Sequence, residues 1–267
     1  MKLKFKYFLK ILFYSLLTII FVISLSFTFK NFNNISCKKI NIIISDSINN
    51  KFITTKDIVA FLNAKKIDLT NKKIKELNLH KLEELLDLIP FIKKTTIYYT
   101  LDSTINIEII QRKPIIRIIG TKTFNFYIDE EGFILPSITN FAPLTLVAVG
   151  NINIPKINFS KKNNIFNLND NSTNILISLF VLAQKINNDL ILKSLINHIY
   201  VNHKEEIELI PTFGNFKFIL GDTSNLDNKL NYVIFFYKKL YNKLGDNLQH
   251  INLKFKNQIL IKKFKYE

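Results

Sequence analysis

A run of nineteen residues without charge, proline or glycine lies near the start of the chain, at residues 11–29 between Lys10 and Lys30. At about 1.5 Å per residue, an α-helix of this length reaches about 28 Å, the hydrocarbon thickness of a bilayer. Thirteen of the nineteen are Leu, Ile, Val or Phe. At about −0.4 kcal/mol each, these side chains favour insertion by roughly 5 kcal/mol. We therefore expect residues 11–29 to form a single transmembrane helix.

The flanking residues predict how this helix is oriented. Residues 27–32, across the end of the run, read Phe-Thr-Phe-Lys-Asn-Phe and lack the small residues that a signal peptidase requires, so we expect the helix to stay attached. A buried core helix would need a polar face, which the run lacks. Four lysines precede it within residues 1–10, and only Lys30 follows closely. The positive-inside rule then predicts a cytoplasmic tail at residues 1–10 and export of the rest. In a bacterium this is a single-pass protein of the inner membrane with periplasmic C-terminal domains.

The basic composition excludes some functions. Lys and Arg total 37 against 21 Asp and Glu, a net charge of +16, yet Arg112 and Arg117 are the only arginines. Arginine is the side chain that recognises phosphate and guanine in a bidentate manner, so specific nucleic-acid binding is not expected. Cys37 is the single cysteine, which excludes a disulfide within the chain.

Residues 38–112 show the pattern of a small α+β domain. Ile40, Ile42 and Ile44 alternate as in a strand, and Thr54 with Asp57 resembles the capping box of a following helix. A second apolar helical face covers residues 79–88, and two strands are predicted at 94–101 and 104–110. The order β-α-α-β-β predicts two helices on one small sheet, with a core that includes Ile42, Leu62, Leu82, Leu86, Ile97 and Ile107.

Residues 113–267 predict a mostly antiparallel β domain with helices, because short apolar runs alternate with turn residues. We expect helices at 172–185, resuming through residue 198, and at 226–244. The strands are expected at 115–119, 124–128, 133–135, 144–149, 207–210 and 216–220, with a hairpin formed by 248–255 and 258–263.

The residues that enzymes use are absent or scattered. No glycine-rich phosphate loop is present, and the four histidines lie on different predicted elements. The S-x-x-K pattern that starts at Ser36 lacks the accompanying motifs of penicillin-binding enzymes. Asp129, Glu130 and Glu131 precede Gly132, which is typical of a solvated hairpin tip. We therefore predict no catalytic residue, cofactor, metal site or small-molecule substrate.

Three segments resemble one protein family in order along the chain. They are I-E-I-I-Q-R-K-P-I-I-R-I at 107–118, F-Y-I-D-E-E-G-F-I-L-P at 126–136 and I-N-L-K-F-K-N-Q-I-L-I at 251–261. Their order and spacing are similar to those of the bacterial cell-division family FtsQ, also called DivIB, in Bacteroidetes-like sequences. Asn252 and Lys254 stand where the family usually has Asp and Arg.

This resemblance implies a fold and a function. Residues 38–112 would be a POTRA domain, and residues 113–267 would be the family's β domain. The protein would be a noncatalytic scaffold of the divisome at the septum, binding FtsB- and FtsL-like single-span proteins and linking them to septal peptidoglycan synthases. The alternative is a membrane-anchored cell-envelope enzyme, such as a peptidoglycan hydrolase, whose site the sequence does not reveal.

The partner surface is predicted on the C-terminal hairpin. By the resemblance, the contact lies on the strand that follows Phe255. A strand at a sheet edge has unpaired backbone groups that a partner strand can complete. Nine lysines against two acids at residues 229–267 would attract an acidic partner. The same lysines would also be expected of an edge that is protected against aggregation. The predicted contact residues are Phe255, Asn257, Gln258, Ile259, Leu260, Ile261 and Lys262.

Overall fold

The computed structural model describes residues 7, 10, 12–24, 36–45, 51–70, 72–73, 76–100, 102–120, 125–168, 173–244, 247–256 and 258–264. The chain divides into two compact units. The first comprises Met1–Ser45, Thr54–Leu86 and Lys94–Ile109, and the second comprises Asp46–Ile53, Asp87–Lys93 and Ile110–Glu267. The domain boundaries at 38–112 and 113–267 stay a prediction.

The N-terminal apolar run is only partly described. Residues 12–24 are helical, whereas residue 11 and residues 25–29 of the predicted membrane segment lie outside the described residues. Among the described residues, no helix combines the length and the apolar character that crossing a bilayer requires. The transmembrane helix at 11–29 therefore remains a prediction.

The first unit has the predicted order β-α-α-β-β. Its elements are β1 (Lys39–Ser45), α1 (Thr55–Ala64), α2 (Leu79–Asp87), β2 (Ile92–Tyr99) and β3 (Thr104–Gln111). The three strands form one sheet in the order β1-β3-β2. Helix α1 begins with the predicted capping box, because the Thr54 amide donates to the Asp57 carboxylate at 2.8 Å and the Thr54 hydroxyl accepts from the Asp57 amide at 3.4 Å.

The core of this unit agrees with the sequence pattern except at one position. Leu62, Leu82, Leu86, Ile97 and Ile107 are buried. The prediction for Ile42 is wrong, because this side chain is only half-buried. Strand β1 buries no residue fully, so the face that carries Ile42 is only partly covered.

The second unit is built on a ten-stranded mixed sheet with the order β13-β12-β11-β10-β9-β7-β4-β5-β6-β8. Six neighbouring pairs are antiparallel and three are parallel, namely β4 with β7, β7 with β9, and β11 with β12. The strands are β4 (Pro114–Ile119), β5 (Asn125–Asp129), β6 (Phe133–Pro136), β7 (Leu146–Gly150), β8 (Asn163–Asn164), β9 (Ile196–Val201), β10 (Ile207–Pro211), β11 (Lys217–Gly221), β12 (Leu248–Asn252) and β13 (Leu260–Lys263).

The helices of this unit contribute to the same hydrophobic core as the sheet. They are α3 (Thr173–Asn188), α4 (Leu190–Leu195), α5 (Leu226–Phe235) and α6 (Tyr241–Leu244), with a 3-10 turn at Ile165–Asn167 and a π-helical segment at Phe236–Leu240. Leu179 of α3 and Phe236 join Ile118, Ile199 and Phe218 of the sheet in one buried cluster.

Two predicted helices differ from the observed ones. The first resumes after residue 185, as predicted, but ends at Leu195 and not at residue 198. Asp189 caps the start of the resumed helix α4, with its carboxylate accepting from the amides of Ile191 and Leu192. His198 then lies in β9, a central strand paired with both β7 and β10. The second helix is interrupted by the π-helical segment at Phe236–Leu240.

Candidate partner-binding edge

Strand β13 is the outer strand at one edge of the described ten-stranded sheet. It pairs antiparallel with β12, placing Ile261 opposite Ile251 and Lys262 opposite His250. Strand β12 is in turn held against β11 by a parallel pairing, and it buries Leu248 and Ile251. The predicted edge position of the C-terminal hairpin is therefore present, although its strands are shorter than predicted.

The hydrogen-bond register of β13 identifies which backbone groups face outward. The Phe264 amide donates to the Asn247 carbonyl at 3.2 Å, so the amide of residue 264 points toward β12. Successive amides of a strand point alternately toward and away from the neighbouring strand. The register shift between β12 and β13 adds a residue to β12, between Leu248 and His250, so it does not disturb this alternation along β13. The amides of residues 260 and 262 thus face β12. Those of Ile261 and Lys263 face away from the sheet.

The predicted contact residues divide into three groups. Phe255, Gln258, Leu260 and Lys262 are exposed, whereas Ile259 and Ile261 are half-buried and pack against the core of the second unit. Asn257 lies outside the described residues. The Gln258 amide donates to the Phe255 carbonyl at 3.4 Å and closes the turn between the strands.

A cleft lies at the base of the hairpin, beside Phe255. It has a volume of about 60 Å³ and is lined by Ser224, Asn225, Asn228, Lys229, Tyr232, Leu253, Lys254, Phe255 and Lys256.

The Lys254 ammonium donates to Glu206 Oε1 at 2.8 Å. This bond, followed by one from Asn202, lowers the pKa of Glu206. Lys254, which stands at the family's usual Arg position, thus has an acidic partner within the same unit.

Not all of the nine C-terminal lysines can attract a partner. Lys229 is buried, and its ammonium donates to the carbonyls of Leu220 and Asp222 and to the Asp222 carboxylate, at 2.8, 3.0 and 2.9 Å. Hydrogen bonds from Lys229 and then Ser224 lower the pKa of Asp222 to about 2. Lys229 therefore stabilises the β11–α5 connection, and the expectation that it adds to the attracting charge is wrong.

The strand pairing surrounds His250 with lysines. Lys217 of β11 and Lys262 of β13 are its register neighbours. Burial, followed by these two positive charges, lowers the pKa of His250, while Glu208 raises it in part. The imidazole is therefore mainly neutral near pH 7, and the positive charge at this edge comes from lysine.

The structure brings two of the three family-like segments into direct contact. Arg112 Nη1 donates to Asp129 Oδ2 at 2.7 Å, and both side chains are buried. The Arg112 guanidinium also lies 3.7 Å from the centre of the Phe133 ring and bonds to Glu131 at 3.0 Å. The prediction of a solvated tip is therefore wrong for Asp129, because Arg112 covers it, while Glu130 and Glu131 are exposed as expected.

The described residues contain no group of three or more His, Cys, Asp or Glu side chains placed to hold a metal ion. His198 lies in β9, and burial lowers its pKa. The buried Asp129 carboxylate accepts hydrogen bonds from Arg112 and from the amides of Glu131 and Phe133. These contacts assign Asp129 to stabilising the turn.

Comparison with known protein families agrees with this architecture. Residues 35–110 match a POTRA-like domain. Residues 113–261 match the family described as FtsQ/DivIB, C-terminal related. No curated protein matches the chain.

The two matches define a class of protein in which a POTRA-like domain is followed by a domain related to the C-terminal part of FtsQ/DivIB. The chain belongs to the FtsQ/DivIB family. This is a family of noncatalytic, membrane-anchored proteins of the division septum.

Proposed function

We propose that the protein is a noncatalytic divisome scaffold that captures FtsB- and FtsL-like single-span proteins and links them to septal peptidoglycan synthases. The observation that carries this proposal is the outermost position of β13 in the described sheet. An extended partner segment would add to this edge as an eleventh strand, bonding to the outward amides of Ile261 and Lys263. Membership of the FtsQ/DivIB family supports a role in division.

The side chains around the edge suit an acidic and partly apolar partner. Phe255, Leu260 and Phe264 each expose about half of their surface, at 48, 48 and 50%. Lys262 and Lys263 are exposed and alternate between the two faces of the sheet. The apolar groups would give contact area, whereas the lysines would mainly accelerate the encounter with an acidic segment.

A proline at an outward amide tests the pairing directly. Ile261→Pro removes one amide that faces the partner and places the ring where the added strand would lie. We expect the amount of FtsB-like protein captured from detergent-solubilised membranes to fall by about tenfold or more, because one hydrogen bond to the partner strand is lost and the ring obstructs that strand. Ile261→Ala is the matched control, because it removes the same side chain and keeps the amide.

The outcomes separate the edge from a general loss of structure. Far-UV circular dichroism of each variant reports whether the domain remains folded. If folded Ile261→Pro captures partners as well as Ile261→Ala does, the interface lies elsewhere. Lys262→Pro is a second comparison, since its amide faces β12 and its loss should weaken the hairpin itself.

The membrane topology is part of the same proposal. We propose a single span at residues 11–29 with residues 1–10 in the cytoplasm and the two units in the periplasm. Alkaline phosphatase fused after residue 45 should then be active, because the enzyme folds only when exported. An inactive fusion, or a mature N-terminus near residue 30, would contradict this topology.

A further inference from the structure

One end of the ten-stranded sheet carries a surface patch that the proposed function does not use. Helix α4, the turn at residues 212–215 and the segment at residues 235–244 meet there. The Thr212 amide donates to the Leu195 carbonyl at 2.8 Å, and the Tyr237 hydroxyl donates to the Phe213 carbonyl at 2.7 Å. These bonds join the three segments into one continuous surface.

This surface exposes large apolar side chains that point into solvent. Leu190 is 83% exposed and Phe213 is 59% exposed, and Ile191 and Phe235 are also exposed. Phe213 is at the tip of the β10–β11 turn, and Leu190 is the first residue of α4. A cluster of exposed apolar side chains on one surface is typical of a binding site for a membrane or a protein.

The charge of the same three segments has one sign. Residues 190–195, 212–215 and 235–244 contain four lysines and no carboxylate, and the Asp189 carboxylate beside them accepts from the amides of Ile191 and Leu192. All four are exposed, namely Lys193, Lys238, Lys239 and Lys243. We call the four apolar side chains and these lysines the lysine–aromatic patch. Aromatic and apolar side chains surrounded by lysine are the composition of surfaces that lie in the interface of an anionic bilayer.

We propose that the lysine–aromatic patch rests on an anionic lipid surface. The shape of the patch favours lipid over an acidic protein segment. An amphipathic partner helix needs a groove to receive its apolar face, whereas Leu190 and Phe213 protrude. Protruding apolar side chains can enter the boundary between headgroups and acyl chains while the lysines reach the phosphates.

The absence of tryptophan from the chain gives a specific probe. Phe213→Trp places the only tryptophan in the patch, and Phe255→Trp places it at the opposite end of the same sheet as a control. The full chain is reconstituted in vesicles of phosphatidylcholine, with or without phosphatidylglycerol, and brominated phosphatidylcholine is the quencher in both. We expect the fluorescence of the tryptophan at 213 to be quenched, and its emission maximum to shift to the blue, only in vesicles that contain phosphatidylglycerol. The fluorescence of the tryptophan at 255 should be the same in both kinds of vesicle.

Lysine variants test the electrostatic part. Each lysine near an anionic surface strengthens attachment about fivefold, so Lys238→Gln with Lys239→Gln should weaken the lipid contact at residue 213 about 25-fold. The control pair is Lys204→Gln with Lys256→Gln, two exposed lysines at the opposite end, which should change nothing. Raised salt should have the same effect as the patch variant.

Three results would overturn the proposal. The first is an unquenched tryptophan at 213 in phosphatidylglycerol vesicles, which would leave the patch in water or assign it to a protein. The second is equal quenching without phosphatidylglycerol, which would exclude recognition of anionic lipid. The third is equal quenching at 213 and 255, which would mean that the vesicle surface does not select this end of the sheet. Resistance of the chain to carbonate extraction reports the anchor independently.

Discussion

The buried pair of Arg112 and Asp129 gives the sharpest stability prediction. Only 4% of the Arg112 side chain and 1% of the Asp129 side chain are exposed, so neither charge is solvated by bulk water. Replacing Arg112 with Met keeps much of the packing on Phe133 but leaves the Asp129 carboxylate buried without its cation. Breaking one half of a buried pair costs about 3 to 5 kcal/mol. At about 2 to 4 °C per kcal/mol, thermal unfolding of the second unit should shift down by roughly 6 to 20 °C.

The pH dependence of this variant has a definite sign. Burial already raises the pKa of Asp129, although the Arg112 bond and the amides of Phe133 and Glu131 favour the charged form. Without Arg112 the folded-state pKa rises further, so the folded state prefers the protonated carboxyl more strongly than the unfolded state does. The destabilisation should therefore be largest near pH 7. It should decrease as the pH falls through the folded-state pKa of Asp129.

Two further variants make this reasoning testable by differential scanning calorimetry. Arg112→Met combined with Asp129→Asn removes both charges and should recover much of the lost stability, because no unpaired charge remains buried. Lys93→Met removes a more exposed lysine that bonds to Glu130 and Glu131, and it should cost less than about 1 kcal/mol. If Arg112→Met unfolds at the wild-type temperature, or if the double variant is no more stable than the single one, the charge argument is refuted.

Three other substitutions probe the core, the end of β7 and the ion pair of Lys229 with Asp222. Leu82→Ala should cost about 2 to 5 kcal/mol in urea denaturation, because the side chain is buried, and an unchanged midpoint would mean that the face of α2 is misassigned. Gly150→Ala should cost about 2 kcal/mol or more, since φ is +112° and a Cβ would clash with the Val201 carbonyl; wild-type stability would contradict this geometry. Lys229→Met should reduce the loss of stability between about pH 4 and pH 2, because the pKa of Asp222 is held at about 2 by this lysine; an unchanged acid profile would exclude the bond.

Local patterns were sufficient to predict the order of the elements in the first unit and most of its core. The strand predicted at 104–110 is β3, and its Ile105, Ile107 and Ile109 are buried. The capping residues Thr54 and Asp57 marked the start of α1. These signals depend on neighbours within a few residues, so a single sequence contains them. Whether Ile42 is covered depends on how much of the chain packs on that face of β1, and residue spacing does not determine that.

Contacts between distant residues could not be predicted in the same way. Asp129 precedes Glu130 and Glu131, and three acids before a glycine indicate a solvated turn. Its burial follows from Arg112, seventeen residues earlier in the chain, which covers the turn once β4 and β5 pair. Similarly, the helix was expected to resume through residue 198, whereas pairing with β7 and β10 makes residues 196–201 a central strand.

The two explanations for the edge lysines are compatible in this geometry. Side chains of a strand project above and below the sheet, so Lys262 and Lys263 leave the outward amides of β13 unobstructed. An identical β13 from another copy would place lysine beside lysine, which opposes edge-to-edge association. A partner segment with carboxylates at alternate positions would meet the same lysines as ion pairs. The same lysines can therefore disfavour pairing with a second copy of β13 and favour pairing with an acidic strand. Specificity for the acidic strand follows from the difference between these two affinities.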